Sequence, residues 1–293
     1  MDIKELILKK RPSLSKSSIT TYSSILRNLY KKVFGDGEID VKNFDKVKDI
    51  FAYLEDIPVN KRKTVLSALF IITDNDKYRG QMLDDISEFN KDIDKQEKTE
   101  TQKENWVSTD DIMTVMNDME KEVKILLNKE KFKPSDYQEI QKYIILCLLG
   151  GYYIAPRRSK DYVDFKIDNI DRKTDNYLKG NKFYFNSYKT AKTYGQQVID
   201  VPKPLVNLLK KWIAINPTEY LLFDTKGDKL TNVKLNQRLN KIFGSKIGVN
   251  AMRHEYLTHK YKDVSDTIDD IEKDFKNMGS SKAQFKTYVK KEK

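Results

Sequence analysis

The sequence predicts a mostly α-helical protein of two domains, with a small β-hairpin or sheet confined to the second. Three observations point there. Apolar residues recur at helical spacing through the first part of the chain. A stretch from Glu88 to Asn105, EFNKDIDKQEKTETQKEN, then breaks the pattern, being almost wholly polar with no aromatic after Phe89. Beyond it, two segments alternate apolar and polar residues, NKFYFNSYKT and QQVIDVP, around the turn-forming AKTYG. The expected organisation is a helical domain over 1–87, a polar linker over 88–105 and a second domain over 106–293.

In SITTYSSILRNLYKKVF, Ile19, Tyr22, Ile25, Leu26, Leu29, Tyr30 and Val33 form one helical stripe, and Ser15 to Ser18 offer N-caps. A second stripe runs through Val47, Ile50, Phe51 and Leu54. A third helix, VNKRKTVLSALFIITDN, opens on Lys61, Arg62 and Lys63, a basic edge able to meet phosphates. After the linker, Ser108-Thr-Asp-Asp111 reads as a capping pattern for a helix with Ile112, Met116, Met119 and Val123 on one side. The segment from Tyr143 to Leu149 is apolar nearly all round and is expected at the centre of its domain. Pro202 and Pro204 end the alternating segments, and helices resume through LVNLLKKWI, NVKLNQRLNKIF and a group from Asn250 onward. In NVKLNQRLNKIF, Leu235, Leu239, Ile242 and Phe243 share one face while Lys234, Arg238 and Lys241 share another. Such a basic stripe suits tracking along phosphates, and it is equally what a solvated helix in a lysine-rich chain looks like.

Composition narrows the function classes. Hydrophobic residues make up 39% and charged residues 34% of the 293, which suits a large charged surface over helices. Lys and Arg outnumber Asp and Glu 55 to 44, a formal charge of +11, so a polyanion is the economical partner. No apolar run is long enough for a membrane span, and MDIKELILKKRPS lacks the continuous apolar core of a secretion signal. The one cysteine, Cys147, sits in the apolar run YIILCLLGGYY, as a buried residue of a reducing compartment would. With two histidines, His254 and His259, a structural zinc site is not expected. An intracellular protein is expected, neither secreted nor bound to membrane.

Four short motifs carry groups that a metal-free phosphodiester transesterification needs: APRRSKDY, SYKTAKTYG, VNAMRHEYLTH and MGSSKAQFKTY. Negative charge spreading over the non-bridging oxygens calls for fixed cations, and arginine's planar fork supplies them. Arg157 and Arg253 are the candidates, with Arg158 adjacent to the first. A lysine at a hairpin tip can protonate the leaving oxygen; Lys189 is placed for this, and Lys192 flanks the same turn. A tyrosine near cations can form a reversible phosphoester through its phenolate. Tyr288 stands in such a basic setting, although most of the 17 tyrosines must be packing residues, Tyr256 and Tyr261 among them.

On these motifs, in this order, the chain resembles the tyrosine recombinases of the phage-integrase family. It is most similar to forms carried by large DNA viruses, virophages and related mobile elements. The resemblance extends over most of the chain and implies a helical core-binding domain followed by a DNA breaking-rejoining catalytic domain. It makes Arg157 the first arginine, Lys189 the hairpin lysine, Arg253 the second arginine and Tyr288 the nucleophile. Two positions depart from the family pattern. Asn250 stands where His or Lys is usual, and Ser280 where His or Trp is usual. Both can donate hydrogen bonds, but neither serves as a general base near neutral pH, so slower cleavage is expected rather than none. His254 is expected to brace the site, and Lys61, Arg62, Lys63, Arg158, Lys192, Lys234, Arg238 and Lys241 to contact DNA. The resemblance further implies double-stranded DNA as partner, four copies on two sites, neither metal nor cofactor, and a place in a host nucleus or a cytoplasmic viral factory. A type IB topoisomerase-like activity and a DNA-binding protein whose catalysis has decayed are the alternatives.

Overall fold

The computed structural model describes residues 2–280, apart from the side chains at 265 and 266. The chain divides into two compact units, Met1–Lys98 and Thr99–Lys293, at a point inside the polar stretch read from the sequence.

The first unit is helical throughout: α1 (Ile3–Lys10), α2 (Lys16–Phe34), α3 (Val47–Leu54), α4 (Val59–Thr73) and α5 (Asp76–Asp94), with a 3-10 turn over Val41–Asp45. Ser15 caps α2 by accepting from the Ser18 N–H. Leu26, Ile50, Leu66 and Leu69 are wholly buried, each contributing roughly 1.5–3 kcal/mol of transfer free energy. Tyr78 of α5 crosses this core and donates to the Phe44 carbonyl at 2.8 Å. Two elements depart from the sequence reading. α1 is short, and the sequence alone gives no helix there, its apolar residues standing among charged ones. α5 continues through the first part of the expected linker, to Asp94, because nothing there breaks a helix: the stretch has neither Gly nor Pro.

The second unit surrounds α8 (Pro134–Leu149), which follows α6 (Glu100–Glu104) and α7 (Thr109–Leu126). Ser108 and Asp111 form the expected capping box at the start of α7. From Ile144 to Leu148 every side chain of α8 is fully buried, Cys147 included, and burial pushes the Cys147 thiol up to about 12. Next come α9 (Ser159–Val163), β1 (Phe165–Lys166), β2 (Asn176–Lys179), β3 (Lys182–Phe185), α10 (Ala191–Tyr194) and β4 (Gln197–Asp200). The strands form one sheet in the order β1-β2-β3-β4, parallel between β1 and β2 and antiparallel thereafter. The predicted hairpin is the β3–β4 pair, with Phe183 opposite Ile199, and its connection holds the single turn of α10. Phe183 and Phe185 point into the core, whereas Tyr184 stacks on Tyr177 on the other face. α11 (Lys203–Ile215), α12 (Asn232–Phe243) and α13 (Val249–Asn277) complete the unit. Trp212 of α11 is wholly buried and donates to the Leu221 carbonyl at 2.9 Å. The fold class is therefore the expected one, mostly α with a small sheet. Among the described residues no helix is long and apolar enough to cross a membrane.

Candidate active site

Residues 150–158 link α8 to α9 and connect three elements. At its start, Gly151 has φ +81°, and a Cβ there would lie 2.6 Å from the Tyr256 ring of α13. Only glycine allows both the backbone conformation and that approach. At its end, Arg157 is fixed on every side. Its Nε donates to Asp161 Oδ2 at 2.7 Å and its Nη1 to Gln197 Oε1 at 2.8 Å. Its guanidinium lies 4.0 Å from the centre of the Phe185 ring and 5.3 Å from that of Tyr188. Arg157 thus ties α9 to both strands of the hairpin. Arg158 is exposed, and its side chain makes no hydrogen bond or ion pair among the described residues.

The acid under Arg157 is only partly satisfied. Asp161 is buried, and its Oδ1 has no hydrogen-bond partner among the described residues. Burial pushes its carboxyl above the ordinary value, and Arg157 pulls it back only in part. Beside it Tyr162 is wholly buried with an unpartnered hydroxyl, and desolvation raises that phenol as well.

A second tie holds the turn that carries the lysines. Asn176 of β2 is fully buried and uses all its hydrogen-bonding capacity. Its Nδ2 donates to the carbonyls of Asp161 and Ser187, and its Oδ1 accepts from the Asn186 and Ser187 N–H groups, all at 2.8–2.9 Å. Tyr188 then closes the loop by donating to the Gly195 carbonyl at 2.8 Å. Lys189 and Lys192 lie within that loop, both exposed. Arg157, Arg158 and the Lys189 turn therefore share one corner of the unit.

α13 presents the second arginine. Asn236 of α12 caps its first turn by accepting from the Val249 N–H at 3.0 Å. Glu255, buried on α13, accepts from Trp106 Nε1 at 2.6 Å and from the N–H and hydroxyl of Thr109 at 2.7 and 2.8 Å, tying α13 to the start of α7. Between these anchors Arg253 is half-buried and makes no hydrogen bond or ion pair among the described residues; Asn250 and His254 are exposed. Tyr256 packs on Gly151 as a packing tyrosine should, but Tyr261 is 48% exposed, against expectation.

Ser280 does not join this corner. MRH and Met278-Gly279-Ser280 belong to opposite ends of α13, a single helix of 29 residues. At 1.5 Å per residue, Arg253 and Asn277 are about 36 Å apart along it. Ser280 donates its N–H to the Phe275 carbonyl and simply ends the helix. Tyr288 lies outside the described residues.

The basic residues expected along DNA divide into two groups. Lys61 and Lys241 are exposed. Arg62 instead forms a two-pronged pair with Asp85 of α5 at 2.8 and 2.7 Å, and Lys63 lies 3.0 Å above the centre of the Phe89 ring. Lys234 is paired with the buried carboxylate of Asp224. Arg238 faces inward, donating to Gln138, to Gln141 and to the Phe223 carbonyl, and burial lowers its pKa to about 10. The stripe read from helical spacing is thus not an open row: two of its three cations are held by the protein itself. Residues that spacing alone did not single out, Asp161, Asn176 and Gln197, do most to position the corner, and Glu255 does the same for α13.

No protein-family model and no curated protein matches the chain. Solved structures do. A lambda integrase dimer bound to a COC' core site is 12% identical, with 90% of this chain and 70% of that one aligned, at a TM-score of 0.45. A dimer of lambda integrase(75-356) on the COC' core site is also 12% identical, with 90% of this chain and 89% of that one aligned, at 0.46. Lambda integrase residues 75–356 bound to DNA gives 12% identity, 92% and 89% aligned, and 0.45. At this identity the likeness is one of chain path, and no residue's role passes through it.

Proposed function

We propose that this protein is a site-specific DNA recombinase or integrase that cuts and rejoins strands through a covalent tyrosine link. The observation that supports the reading is the corner itself, where Arg157, clamped between Asp161 and Gln197, lies against Tyr188 at the start of the Lys189 turn. In the reaction the Tyr288 phenolate oxygen attacks phosphorus and the bond to the 5′-oxygen breaks. Lys189 gives that oxygen its proton, leaving a 3′-phosphotyrosyl ester. Attack by a 5′-hydroxyl from another strand reverses the step, so the bond's energy is conserved. Arg158 and Arg253, whose side chains make no hydrogen bond or ion pair among the described residues, serve the non-bridging oxygens, while Arg157 acts as the anchor for Arg158. Duplex DNA is the partner, and four copies on two sites complete an exchange inside a cell.

The separation of Ser280 from Arg253 favours one second reading, a DNA-binding protein that no longer cuts. A duplex nicked near the cleavage point separates the two. A covalent protein–DNA band is expected from the wild type and none from Tyr288→Phe, with Arg253→Ala lowering its yield by about a hundredfold or more. Tight binding with no band from the wild type would establish the second reading instead.

A further inference from the structure

A cleft between the N-terminal part of α8, the turn at 224–230 and α12 holds more positive charge than the protein neutralises. It measures about 370 Å³, and Lys142, Lys234, Arg238 and Lys241 line it together with the acids Glu139 and Asp224. Both acids are already engaged. The two oxygens of Glu139 accept from Lys142 Nζ at 2.7 and 2.9 Å. Asp224 Oδ1 accepts from the N–H groups of Lys226 and Asp228 at 2.8 and 3.1 Å, and its Oδ2 accepts from Lys234. Arg238 is left with neutral partners: the side-chain oxygens of Gln138 and Gln141 and the Phe223 carbonyl. They take three of the five N–H donors of a guanidinium. Lys241 is exposed, and its side chain makes no hydrogen bond or ion pair among the described residues. Four cations against two acids leave a surplus of two positive charges.

A recessed cation with no carboxylate on it is unfavourable, and burial lowers the Arg238 pKa to about 10. The group is still charged at neutral pH, so an anion entering the cleft would relieve it.

We propose that this cleft binds a small phosphate monoester, held by Arg238 and Lys241 and separate from the arginine–lysine corner. A monoester carries close to two negative charges at neutral pH and matches the surplus, whereas a phosphodiester carries only one. Guanidinium and ammonium are the side-chain groups suited to phosphate oxygens. The cleft is more than twice the roughly 150 Å³ that admits benzene, so an organic group fits beside the phosphate. The corner lies beyond the other end of α8: Gln138 and Leu149 are about 16 Å apart along that helix. The site is therefore independent of the proposed reaction. It also gives Lys234, Arg238 and Lys241 a shared role that an open row along a duplex does not describe.

Calorimetric titration of glycerol 2-phosphate into the full-length chain without DNA tests this. Saturable binding is expected, with dimethyl phosphate, a singly charged diester, weaker by about tenfold. Lys241→Glu should weaken the monoester by about tenfold or more, because it reverses a charge at the site without touching the core. Lys210→Glu makes the same change on an exposed lysine of α11 outside the cleft, and should leave the affinity within about twofold. Arg238→Gln should abolish binding; if circular dichroism shows that it does not fold, the comparison of Lys241→Glu with Lys210→Glu decides. Arg253→Ala should bind as the wild type does, since the corner takes no part. No binding to the wild type, or equal losses from Lys241→Glu and Lys210→Glu, would overturn the proposal. So would loss of binding in Arg253→Ala with Lys241→Glu unaffected, which would place the ligand in the corner. Equal affinity for dimethyl phosphate would also refute it, and would assign the cleft to a phosphodiester backbone.

Discussion

Each unit contains an arginine–aspartate pair joining neighbouring elements, and the two pairs differ in how completely the acid is satisfied. In the first unit Arg62 grips Asp85 with two parallel bonds, and Gln81 adds a third at 2.9 Å. Burial raises the Asp85 carboxyl, but these bonds outweigh it and hold the group below its ordinary value. In the second unit Arg157 gives Asp161 a single bond, Oδ1 has none, and the carboxyl stays above its ordinary value. The contrast teaches where each pair belongs. The first is a finished clasp between α4 and α5 that makes Arg62 a structural residue, despite its place in a basic triplet. The second is left incomplete, with the rest of its arginine divided between Gln197 and two aromatic rings.

Breaking each pair should expose the difference, the larger effect first. Arg62→Ala leaves Asp85 buried and uncompensated, and should cost about 3 kcal/mol in urea unfolding, at the low end for a buried pair because Arg62 is 20% exposed. Asp161→Asn removes a charge that its surroundings already disfavour, and should cost only about 1 kcal/mol by the same measurement. A loss at Asp161 equal to that at Arg62 would erase the distinction. The smallest and sharpest effect is in pH dependence. Asp85, with its folded pKa depressed, contributes stability that is present above the ordinary 3.8 and lost as pH falls through the folded value. Asp161, with its folded pKa raised, contributes stability that is full below the ordinary 3.8 and lost as pH rises through the folded value. Unfolding between about pH 3 and 7 should therefore show the wild type gaining on Asp85→Asn, and losing to Asp161→Asn, as pH rises.

Much of the scaffold was legible in the sequence. The stripe from Ile19 to Val33, the Ser108–Asp111 capping pair and the all-apolar run ending at Leu149 are local signals, and each became the expected element. β1 and β2 were not legible: β1 has only two residues, and β2, NYLK, sets two apolar residues side by side without alternation; Asn176 is positioned by long-range bonds to Asp161 and Ser187. In the candidate site, motif order picks out the arginines and the lysine turn as candidates. Which guanidinium faces outward could not be read that way, because Arg62, Arg157 and Arg238 are claimed by an acid and two amides that lie 23, 40 and 97 residues away. Spacing on a helix gives a face, and only the tertiary neighbours say what covers it.

Cys147 has a practical consequence. It is the chain's one native thiol, wholly buried in α8 and protonated well past neutral pH, so it stays silent toward maleimides and iodoacetamides while the protein is folded. A cysteine introduced at exposed Lys192 would then be the sole reactive sulfur, without first editing the core. A fluorophore there would report directly on what approaches the lysine turn.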